Sequence, residues 1–586
     1  MATPPIDLSA KRVIVGGGIA GLSAAYVFVK AGCKHVTVLE SSFFLGGVVR
    51  SATIKTAHNV GVDFGASEVA VDDMNLLTVC DELKIRDLLH VVDKPKVITP
   101  EVNNPNEYAL IETWQDMFTH HQFSAFIGKT LEVGLLTPGV SLSYYYPNQE
   151  KFGNTTLAEF LDGFDELKDV ISRSFLALGY GRIEEMPLFL GLPLLTKPPK
   201  TLSFSGRTHI LVDALATYIQ THGGHLRTGC KVVGVQMSDK KQTAVEVKNA
   251  VSGRTERVVC DQLLWACPID RIPTNVFSMS LPLHASNPVH NPTVQPEYRY
   301  THTMVALVQV NDIPLFGAHG YESTEWSTCF QTAYTSDMQD KVQLVRVENC
   351  TPLLHNSSEL SVPLGESPTW LKLHFDMRDS TLTKFLRQHS NQSIQAVSKL
   401  IQTTLGDVPL FKSNNTRLVL MLHYEVIQRR HPILNGAAVY EMHHKSLQGV
   451  NNVWFAGQYM GTTGSLETAC FTGRRAAYGL LGSTQLADFD ARTRRSEQDR
   501  INGFRWKVLG VYGAAATGLA LGVACAFIGT KLVTSDGVPA AKQDDTVAPL
   551  PQVSSQSISR AVVDHAASTS SILEDFRKNH LYNSSK

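Results

Sequence analysis

The hydrophobic pattern near the start of the chain predicts a strand, a helix and a second strand in close succession. The apolar run Val13–Val15 leads into a glycine-rich turn, and the apolar residues of Leu22–Lys30 then recur at helical spacing. A second apolar run, Val36–Leu39, follows. Short runs that are apolar throughout are typical of parallel strands buried on both faces, so this pattern predicts a doubly wound α/β unit.

The middle of the chain has a different pattern, which favours an antiparallel sheet. Its β-type runs are Thr303–Val310, Gln343–Val347 and Leu418–Glu425. The segment Leu157–Leu178 has helical spacing, and we expect it to cover one side of the cavity that the sheet would floor.

Near the C-terminus, Val508–Thr530 contains no charged residue in 23 positions, which is long enough to span a bilayer as a helix. Basic residues are more frequent before this segment than after it, so the large N-terminal part is expected in the cytosol. The sequence therefore predicts a single-pass protein of the endoplasmic reticulum or mitochondrial outer membrane. A buried core helix is the alternative.

Small residues repeat every four positions along this segment, at Ala514, Gly518, Gly522 and Ala526. Such a stripe permits close helix–helix packing and is compatible with a homodimer. A weakly hydrophobic anchor without a partner helix explains the stripe equally well.

Composition narrows the range of partners. Among 586 residues, 18% are charged and the net charge is −1, so there is no basic surplus for nucleic acid and none is expected as a partner. The nine cysteines include no CxxC pair, and neither a zinc site nor a disulfide framework is indicated. We predict no metal site.

A dinucleotide-binding turn follows the first strand. Gly16 to Gly21 fits the pattern GxGxxG, in which the first glycine permits a tight turn, the second admits a pyrophosphate and the third allows helix–strand packing. The helix N-terminus supplies unpaired N–H groups for an anion. Glu40 ends the second strand, where a carboxylate can accept hydrogen bonds from ribose hydroxyls. The predicted contacts here are Gly16, Gly18, Ile19, Ala20, Gly21, Glu40 and Ser41.

Two further motifs favour FAD over NAD. A second glycine pair brings more backbone to the pyrophosphate, and Arg50 can offset its charge. Near residue 457 a strand, a turn and a helix N-terminus are suited to stabilise negative charge on the flavin ring. The predicted contacts are Gly46, Gly47, Val48 and Arg50 in the first motif, and Gly457, Gln458, Ser465 and Leu466 in the second.

With these motifs, the chain resembles the superfamily of flavin-containing amine oxidases and protoporphyrinogen oxidases, which includes phytoene desaturase-like enzymes. The resemblance runs from Lys11 to Leu480 and includes Asp261–Pro268. It implies that Val232 contacts the adenine. It also implies an α/β fold, in which a Rossmann-like FAD-binding domain is interleaved with an α+β substrate domain, followed here by the C-terminal transmembrane helix.

The resemblance divides the chain into alternating segments. Residues 8–80, 203–270 and 445–482 would form the FAD-binding domain, and residues 81–202 and 271–444 the substrate domain. A basic linker, 483–507, would lead to the transmembrane helix, 508–530, and to a mostly disordered tail, 531–586.

The chain departs from the family pattern in places that bear on mechanism. Gln458 replaces an acidic residue that many members use to bind the ribityl chain. No cysteine occurs between Leu410 and Ala456, so FAD is expected to be noncovalent.

No catalytic residue is identified by the motifs, and two weak candidates remain. His431 lies in Gln428–Pro432, where family members carry a loop facing the flavin, although a surface turn is an equal alternative. Tyr459 is the second candidate, with a structural role as its alternative.

The function implied is a membrane-anchored FAD-dependent oxidoreductase that moves a hydride from a substrate C–H bond to flavin N5. The anchor favours an apolar small-molecule substrate. One alternative is a flavin-dependent isomerase or desaturase of an apolar polyene, and another is a catalytically silent membrane scaffold. The substrate and the electron acceptor are not indicated by the sequence.

Overall fold

A computed structural model gives the fold of this chain. It describes residues 6–54, 60–92, 96–100, 108–111, 126, 129, 155–177, 182–188, 191–192, 201–205, 207–237, 243–268, 297–311, 326–329, 343–350, 369–377, 393–407, 415–433, 448–460, 465–493 and 495. The chain divides into two units, Met1–Val508 and Leu509–Lys586, and all described residues lie in the first. The predicted membrane span and tail lie outside the described residues. Among the described helices, none is both long and apolar enough to cross a membrane.

The strands of the first half are β1 (Lys11–Val15), β2 (His35–Leu39), β3 (Ser51–Ile54), β4 (Val60–Asp63), β5 (Val69–Ala70), β6 (Leu89–Val92), β7 (Lys96–Pro100), β8 (Tyr108–Ile111), β9 (Thr201–Phe204), β10 (His225–Arg227), β11 (Cys230–Met237), β12 (Thr243–Asn249), β13 (Thr255–Cys260) and β14 (Gln262–Trp265). Those of the second half are β15 (Glu297–Val310), β16 (Trp326–Cys329), β17 (Gln343–Asn349), β18 (Thr369–Met377), β19 (Leu418–Ile433) and β20 (Val453–Phe455).

The α-helices are α1 (Ile19–Lys30), α2 (Met74–Glu82), α3 (Leu157–Phe160), α4 (Asp165–Ala177), α5 (His209–Thr221), α6 (Ser393–Asp407) and α7 (Leu466–Leu481). Short 3-10 turns occupy Arg86–Leu88, Val450–Asn452 and Gln458–Met460. The predicted helix over 157–178 is therefore two helices. Gly163, which has a φ of +89°, lies between them.

A five-stranded parallel sheet in the order β10-β2-β1-β14-β20 forms the centre of the first lobe. Its strands come from three separate stretches of sequence. Alternate residues face opposite cores: Val13 and Leu263 lie in one, and Ile14 and Leu264 in the other with the residues of α1, α5 and α7. Both faces are thus covered, which explains why the strands are apolar throughout. The three-stranded antiparallel sheet β11-β12-β13 contributes to the first of these cores.

The second lobe is built on a seven-stranded sheet in the order β19-β15-β18-β17-β16-β7-β8, antiparallel except between β16 and β7. The three predicted runs all lie in this sheet. One face packs on α6 through an apolar cluster that includes Val308, Leu373, Phe375 and Ile401. The opposite face meets β4, where Val305 and Leu307 pack against Val62 and Phe64. A sheet with one apolar helix-covered face is typical of an α+β lobe.

The expected loop or surface turn near His431 is wrong. Gln428–Pro432 is neither a loop nor a turn but the end of β19, paired with β15 so that His431 lies opposite Arg299. Among the described strands, β19 is at the edge of the sheet. Pro432 is tolerated there because an edge strand has one side without ladder hydrogen bonds.

The first part of the predicted basic linker is also ordered. Residues 483–493 are a further helical stretch, in addition to α1–α7. This helix is tied to α7 because Arg475 Nε donates to Asp490 Oδ1 at 3.0 Å.

Candidate functional site

The carboxyl ends of the parallel strands meet at one edge of the central sheet, which is where ligands bind in folds of this class. Gly16 follows β1 there with a φ of +113°, and its N–H donates to the carbonyl of Leu39 at 2.8 Å. A Cβ on Gly16 would lie 2.7 Å from the carbonyl oxygen of Ala266, at the end of β14. The first glycine therefore makes a turn that no larger residue could make between three strand ends.

The last glycine of the motif brings α1 against this turn. A Cβ on Gly21 would lie 1.9 Å from the carbonyl oxygen of Gly16. A side chain here would push the helix away from the strand, so Gly21 fixes the position of the helix N-terminus over the sheet edge.

The N-terminus of α1 is open to an anion. Gly18 is its N-cap, no side chain caps the helix, and the first turn, which starts with the buried Ile19 and Ala20, holds no acidic residue. The first N–H groups of a helix lack intrahelical partners and carry the positive end of the dipole. A pyrophosphate matches this arrangement of donors and charge.

The second glycine pair lies directly against the first turn. The N–H of Gly46 donates to the carbonyl of Gly17 at 2.8 Å, and a Cβ on Gly47 would lie 3.2 Å from the Cα of Gly18. Gly46 and Gly47 have φ values of +104° and +62°. Two backbones with no side chain between them form a cradle that matches the predicted pyrophosphate position.

The segment after this pair, which leads into β3, is held by the residues that follow β4. The carbonyl of Val48 accepts from Ala66 N–H at 3.0 Å, and the carbonyl of Arg50 accepts from Phe64 N–H at 2.8 Å. The side chains of Val48 and Arg50 are half-buried beside the cradle.

Glu40 directly follows β2 and is half-buried at the same edge. Its Oε2 accepts from Gly17 N–H at 2.7 Å, and its Oε1 accepts from Ser42 N–H at 2.8 Å and from Ser41 Oγ at 3.3 Å. Ser41 is exposed. The carboxylate keeps acceptor positions beyond these contacts, since it offers about four lone-pair sites.

The adenine-side strand is joined to Glu40 by its backbone. The N–H of Cys230, the first residue of β11, donates to the carbonyl of Glu40 at 2.7 Å. Val232, two residues on, is half-buried at an irregularity in the pairing of β11 with β12. Val232 therefore lies two residues along β11 from Cys230, the residue whose N–H bonds to the predicted ribose contact Glu40.

A second helix N-terminus follows β20. Gly457 has a φ of +125°, and its N–H donates to Thr472 Oγ1 of α7 at 3.1 Å. Ser465 caps α7 by accepting from Thr468 N–H at 3.1 Å. Gln458 is half-buried and Leu466 is buried. The turn and the helix start are thus held together, as a contact with the flavin ring would require.

The structure describes the side chain of one catalytic candidate, Tyr459, and only the backbone of the other, His431. Tyr459 is buried in the core, where its hydroxyl donates to the carbonyl of Trp265 at 3.3 Å. This contact favours the structural role for Tyr459. The backbone of His431 lies in β19, and the structure gives no description of its side chain. Within the described ranges, no group of three or more His, Cys, Asp or Glu side chains could hold a metal ion.

Two groups of side-chain contacts, one in each lobe, were not predicted from the sequence. Glu467 of α7 reaches the start of α2, where it accepts from Leu76 N–H at 2.7 Å. On β17 and β18, Glu348 lies among basic side chains on the face of the sheet that meets β4. The alternation of charged residues in 346–348 and 372–374 was a visible signal for the second feature, but the first joins residues too distant in sequence to be paired by any local pattern.

The fold and the site define a nucleotide-binding protein whose glycine turns and helix N-termini suit an extended dinucleotide. A family model described as flavin containing amine oxidoreductase matches residues 19–298. No curated protein matches the chain in sequence. The match to the family model confirms the resemblance to flavin-containing amine oxidases that the sequence indicates. The protein is an FAD-dependent oxidoreductase that is similar to the flavin-containing amine oxidoreductases over residues 19–298.

Solved structures with a similar fold include a putrescine oxidase and a fatty acid isomerase. Wild-type putrescine oxidase bound to putrescine has 14% identity and a TM-score of 0.53, covering 81% of this chain and 99% of its own. A CLA-producing fatty acid isomerase from P. acnes has 15% identity and a TM-score of 0.52, covering 80% of this chain and 98% of its own. At these identities the likeness establishes the fold.

Proposed function

We propose that this protein is a membrane-anchored oxidoreductase that removes a hydride from a C–H bond of a small-molecule substrate. The observation that carries the proposal is the close approach of the backbones of Gly47 and Gly18 at the carboxyl edge of the parallel sheet. This approach lies at the open N-terminus of α1. FAD, when bound, supplies the hydride acceptor at N5 of its ring.

The protein's own residues hold and orient the cofactor. Gly18 and Gly47 would leave space for a pyrophosphate, the first turn of α1 would donate to it, and Arg50 would offset its charge. Glu40 would accept from the ribose hydroxyls. The N-terminus of α7 would stabilise negative charge on the flavin ring.

The membrane-anchored part of the proposal rests on the sequence of Val508–Thr530 and on the basic residues before it. We expect the catalytic part in the cytosol, at the endoplasmic reticulum or the mitochondrial outer membrane. Alkaline carbonate extraction of cell membranes tests the anchor, since a spanning helix stays in the pellet. Release into the supernatant would contradict it.

A homodimer through Gly518 and Gly522 is part of the same proposal. Replacing both glycines with isoleucine should abolish the crosslinked dimer in membranes and leave the anchor in place. A dimer that persists in this variant would argue against the stripe as its interface.

The visible spectrum of the purified full-length protein in detergent tests the cofactor and its attachment. We expect the two-banded spectrum of bound flavin, and acid precipitation should release the colour because no cysteine lies between Leu410 and Ala456. A yellow pellet would mean covalent flavin. A folded, colourless protein that FAD does not reconstitute would favour the scaffold.

A flavin-dependent double-bond isomerase is the second candidate, and the fold shared with the fatty acid isomerase favours keeping it. The two functions differ in electron balance. An oxidase bleaches its flavin with one equivalent of substrate under anaerobic conditions, whereas an isomerase returns the hydride and gives a product of the same oxidation state.

A further inference from the structure

Two neighbouring loops of the first lobe expose apolar side chains to solvent. One loop, residues 41–45, lies between β2 and the second glycine pair, and its Phe43 and Phe44 are 58% and 69% exposed. The other is the turn between β12 and β13, where Val251 is 80% exposed. Single exposed apolar residues are common on proteins, whereas contiguous ones mark interaction surfaces.

The two loops are in contact around Gly229, the residue before β11. The N–H of Gly229 donates to the carbonyl of Ser42 at 2.7 Å, and its carbonyl accepts from Ala250 N–H at 2.7 Å. A Cβ on Gly229 would lie 3.0 Å from Cε1 of Phe43 and 3.8 Å from Cβ of Ala250. The exposed apolar residues of the two loops therefore form one surface. This surface, which we call the apolar tip, consists of Phe43, Phe44, Ala250 and Val251.

Hydrogen bonds at the base of the apolar tip hold both loops. Ser42 N–H donates to Glu40 Oε1 at 2.8 Å, and Phe44 N–H donates to Ser42 Oγ at 3.2 Å. In the other loop, Asn249 Oδ1 accepts from Val251 N–H at 2.9 Å. The two backbones are therefore fixed in conformations that expose the apolar side chains.

Basic side chains lie beside the apolar tip on the solvent-exposed face of the antiparallel sheet. Lys231 of β11 and Lys248 of β12 are exposed and lie directly opposite each other, two residues from Gly229 and Ala250 respectively. Directly opposite residues have Cβ atoms about 5 Å apart, and like charges at this spacing repel each other. Arg254, which is exposed at the end of the turn, adds a third positive charge.

The carboxylates nearby do not neutralise these charges. Glu256 of β13 forms an ion pair with Arg227, and Glu246 of β12 accepts from Gln236 Nε2 at 2.9 Å. Among the residues that the structure describes, no ion pair joins either lysine to an acidic side chain. The surface beside the apolar tip is therefore positively charged.

An anionic lipid surface matches both properties. Apolar and aromatic side chains are stabilised at the boundary between lipid head groups and acyl chains, and each nearby Lys or Arg adds attraction to anionic lipids. The cytoplasmic leaflet of a membrane carries such lipids, and the sequence predicts that the N-terminal part of this chain is in the cytosol. A second copy of the tip would fit less well, because it would bring like charges together.

We propose that the apolar tip docks on the anionic lipid surface of a bilayer and inserts its apolar side chains among the head groups. Lys231, Lys248 and Arg254 then face the lipid charges. The inference rests on the membrane-anchored part of the proposed function, which brings the chain to a bilayer. It adds a contact between the cofactor-binding lobe and the lipid.

A tryptophan reporter in the apolar tip tests this contact. Phe44→Trp is made in the full-length protein, which is reconstituted into lipid nanodiscs, and the emission of the wild type is subtracted to remove the native tryptophans. The nanodiscs contain phosphatidylcholine with or without phosphatidylserine, and their acyl chains are plain or brominated, since bromine quenches only nearby tryptophans. We expect brominated chains to quench the reporter about twofold or more in the anionic nanodiscs and much less in the neutral ones.

Ile394→Trp is the matched control reporter, because Ile394 is 64% exposed on α6 of the other lobe. Brominated chains should leave its emission unchanged. In the Phe44→Trp protein, the double change Lys231→Glu and Lys248→Glu should remove most of the quenching, whereas Lys399→Glu on α6 should not. Raising the salt concentration should weaken the quenching without any further substitution, because salt screens exposed charges.

Equal quenching in neutral and anionic nanodiscs, or equal quenching of the two reporters, would overturn the docking surface. A tip reporter that is not quenched in either nanodisc would do so too. If its emission instead shifts to the blue as the protein concentration rises in detergent, a second copy covers the tip.

A chain that does not copurify with the nanodiscs contradicts the proposed anchor rather than the apolar tip. The same reporter is then read after brominated anionic vesicles are added to the protein. Quenching there would support the docking surface without the anchor, and its absence would overturn it.

Discussion

The carboxylate of Glu40 accepts a 2.7 Å hydrogen bond from the backbone N–H of Gly17, which joins the end of β2 to the glycine turn after β1. One residue therefore both shapes the turn and offers acceptors to a ribose. This double role makes Glu40 the most informative single position in the cofactor site.

Replacing Glu40 with alanine should weaken FAD binding by about tenfold or more, because contacts to a charged acceptor are lost at both the turn and the sugar. The dissociation constant is measured by titrating the apoprotein with FAD and following flavin fluorescence. Glu184→Ala, which removes an exposed carboxylate, is the control and should bind FAD normally. Equal affinities in the two variants would remove Glu40 from the site.

Gly473→Ala should destabilise the protein and lower its flavin content together. A Cβ on Gly473 would lie 2.0 Å from the carbonyl oxygen of Ala20, so α1 would be pushed away from α7. We expect a loss of about 2 kcal/mol or more in the free energy of unfolding. Urea denaturation gives this value, and absorbance gives the flavin per chain.

Gly406→Ala is the matched control for this change. Gly406 lies near the end of α6, where an added Cβ would meet no atom within 4 Å. Alanine should be neutral or slightly stabilising there, by less than about 1 kcal/mol. Similar losses in both variants would mean that the close approach of α7 to α1 is not the cause.

Glu467→Ala should cost about 3 kcal/mol of stability. The buried carboxylate accepts from the backbone N–H groups of Asn75 and Leu76, at 3.0 and 2.7 Å, and from Asn75 Nδ2 at 2.9 Å. These donors at the start of α2 would lose their partner inside the protein. Thermal and urea unfolding measure the loss. Glu467→Gln keeps one acceptor oxygen and should lose less, and an equal loss in both variants would contradict this account.

Acid should destabilise the substrate lobe in two steps. The folded pKa of His374 is about 4, below the usual 6.5, because of its burial and the nearby Arg346 and Lys372, which together outweigh Glu348. The unfolded chain then binds more protons between pH 6.5 and 4, so stability falls over this window as pH falls, by up to about 3 kcal/mol. The lowered pKa of Glu348 adds a further loss below its usual value of 4.5.

His374→Gln should remove the first step and leave the second. The free energy of unfolding is measured in urea between pH 7 and 3 for the wild type and the variant. His222→Gln, which changes an exposed histidine on another element, is the control and should follow the wild type. A variant that keeps the full slope would show that another group titrates in this window.

Local chemistry explains what could be predicted from the sequence. The turn at Gly16 and the close packing at Gly21 depend on backbone conformation and on the lack of a side chain, and both are visible in a short motif. Apolar strands buried on both faces carry their own pattern, so β1 and β2 were expected within two residues of their bounds.

The end of β19 could not be predicted in the same way. Gln428–Pro432 contains two arginines, a histidine and a proline, and no local preference favours a strand. Its pairing with β15, more than a hundred residues earlier, decides the conformation. Backbone hydrogen bonds to a distant strand outweigh the local preference, and the edge position accommodates the proline.

The sequence by itself determined the dinucleotide turn, the acidic residue after β2 and the alternation of parallel and antiparallel lobes. Only the tertiary structure decided that Glu40 bonds to Gly17, that Glu467 caps α2 and that Glu348 gathers Arg346, Lys372 and His374. The physical reason is the distance in sequence between the residues that form each feature. A glycine turn is specified by the few residues that form it, whereas a buried charge is stabilised by whichever partners the folded chain brings to it, however far away they lie in sequence.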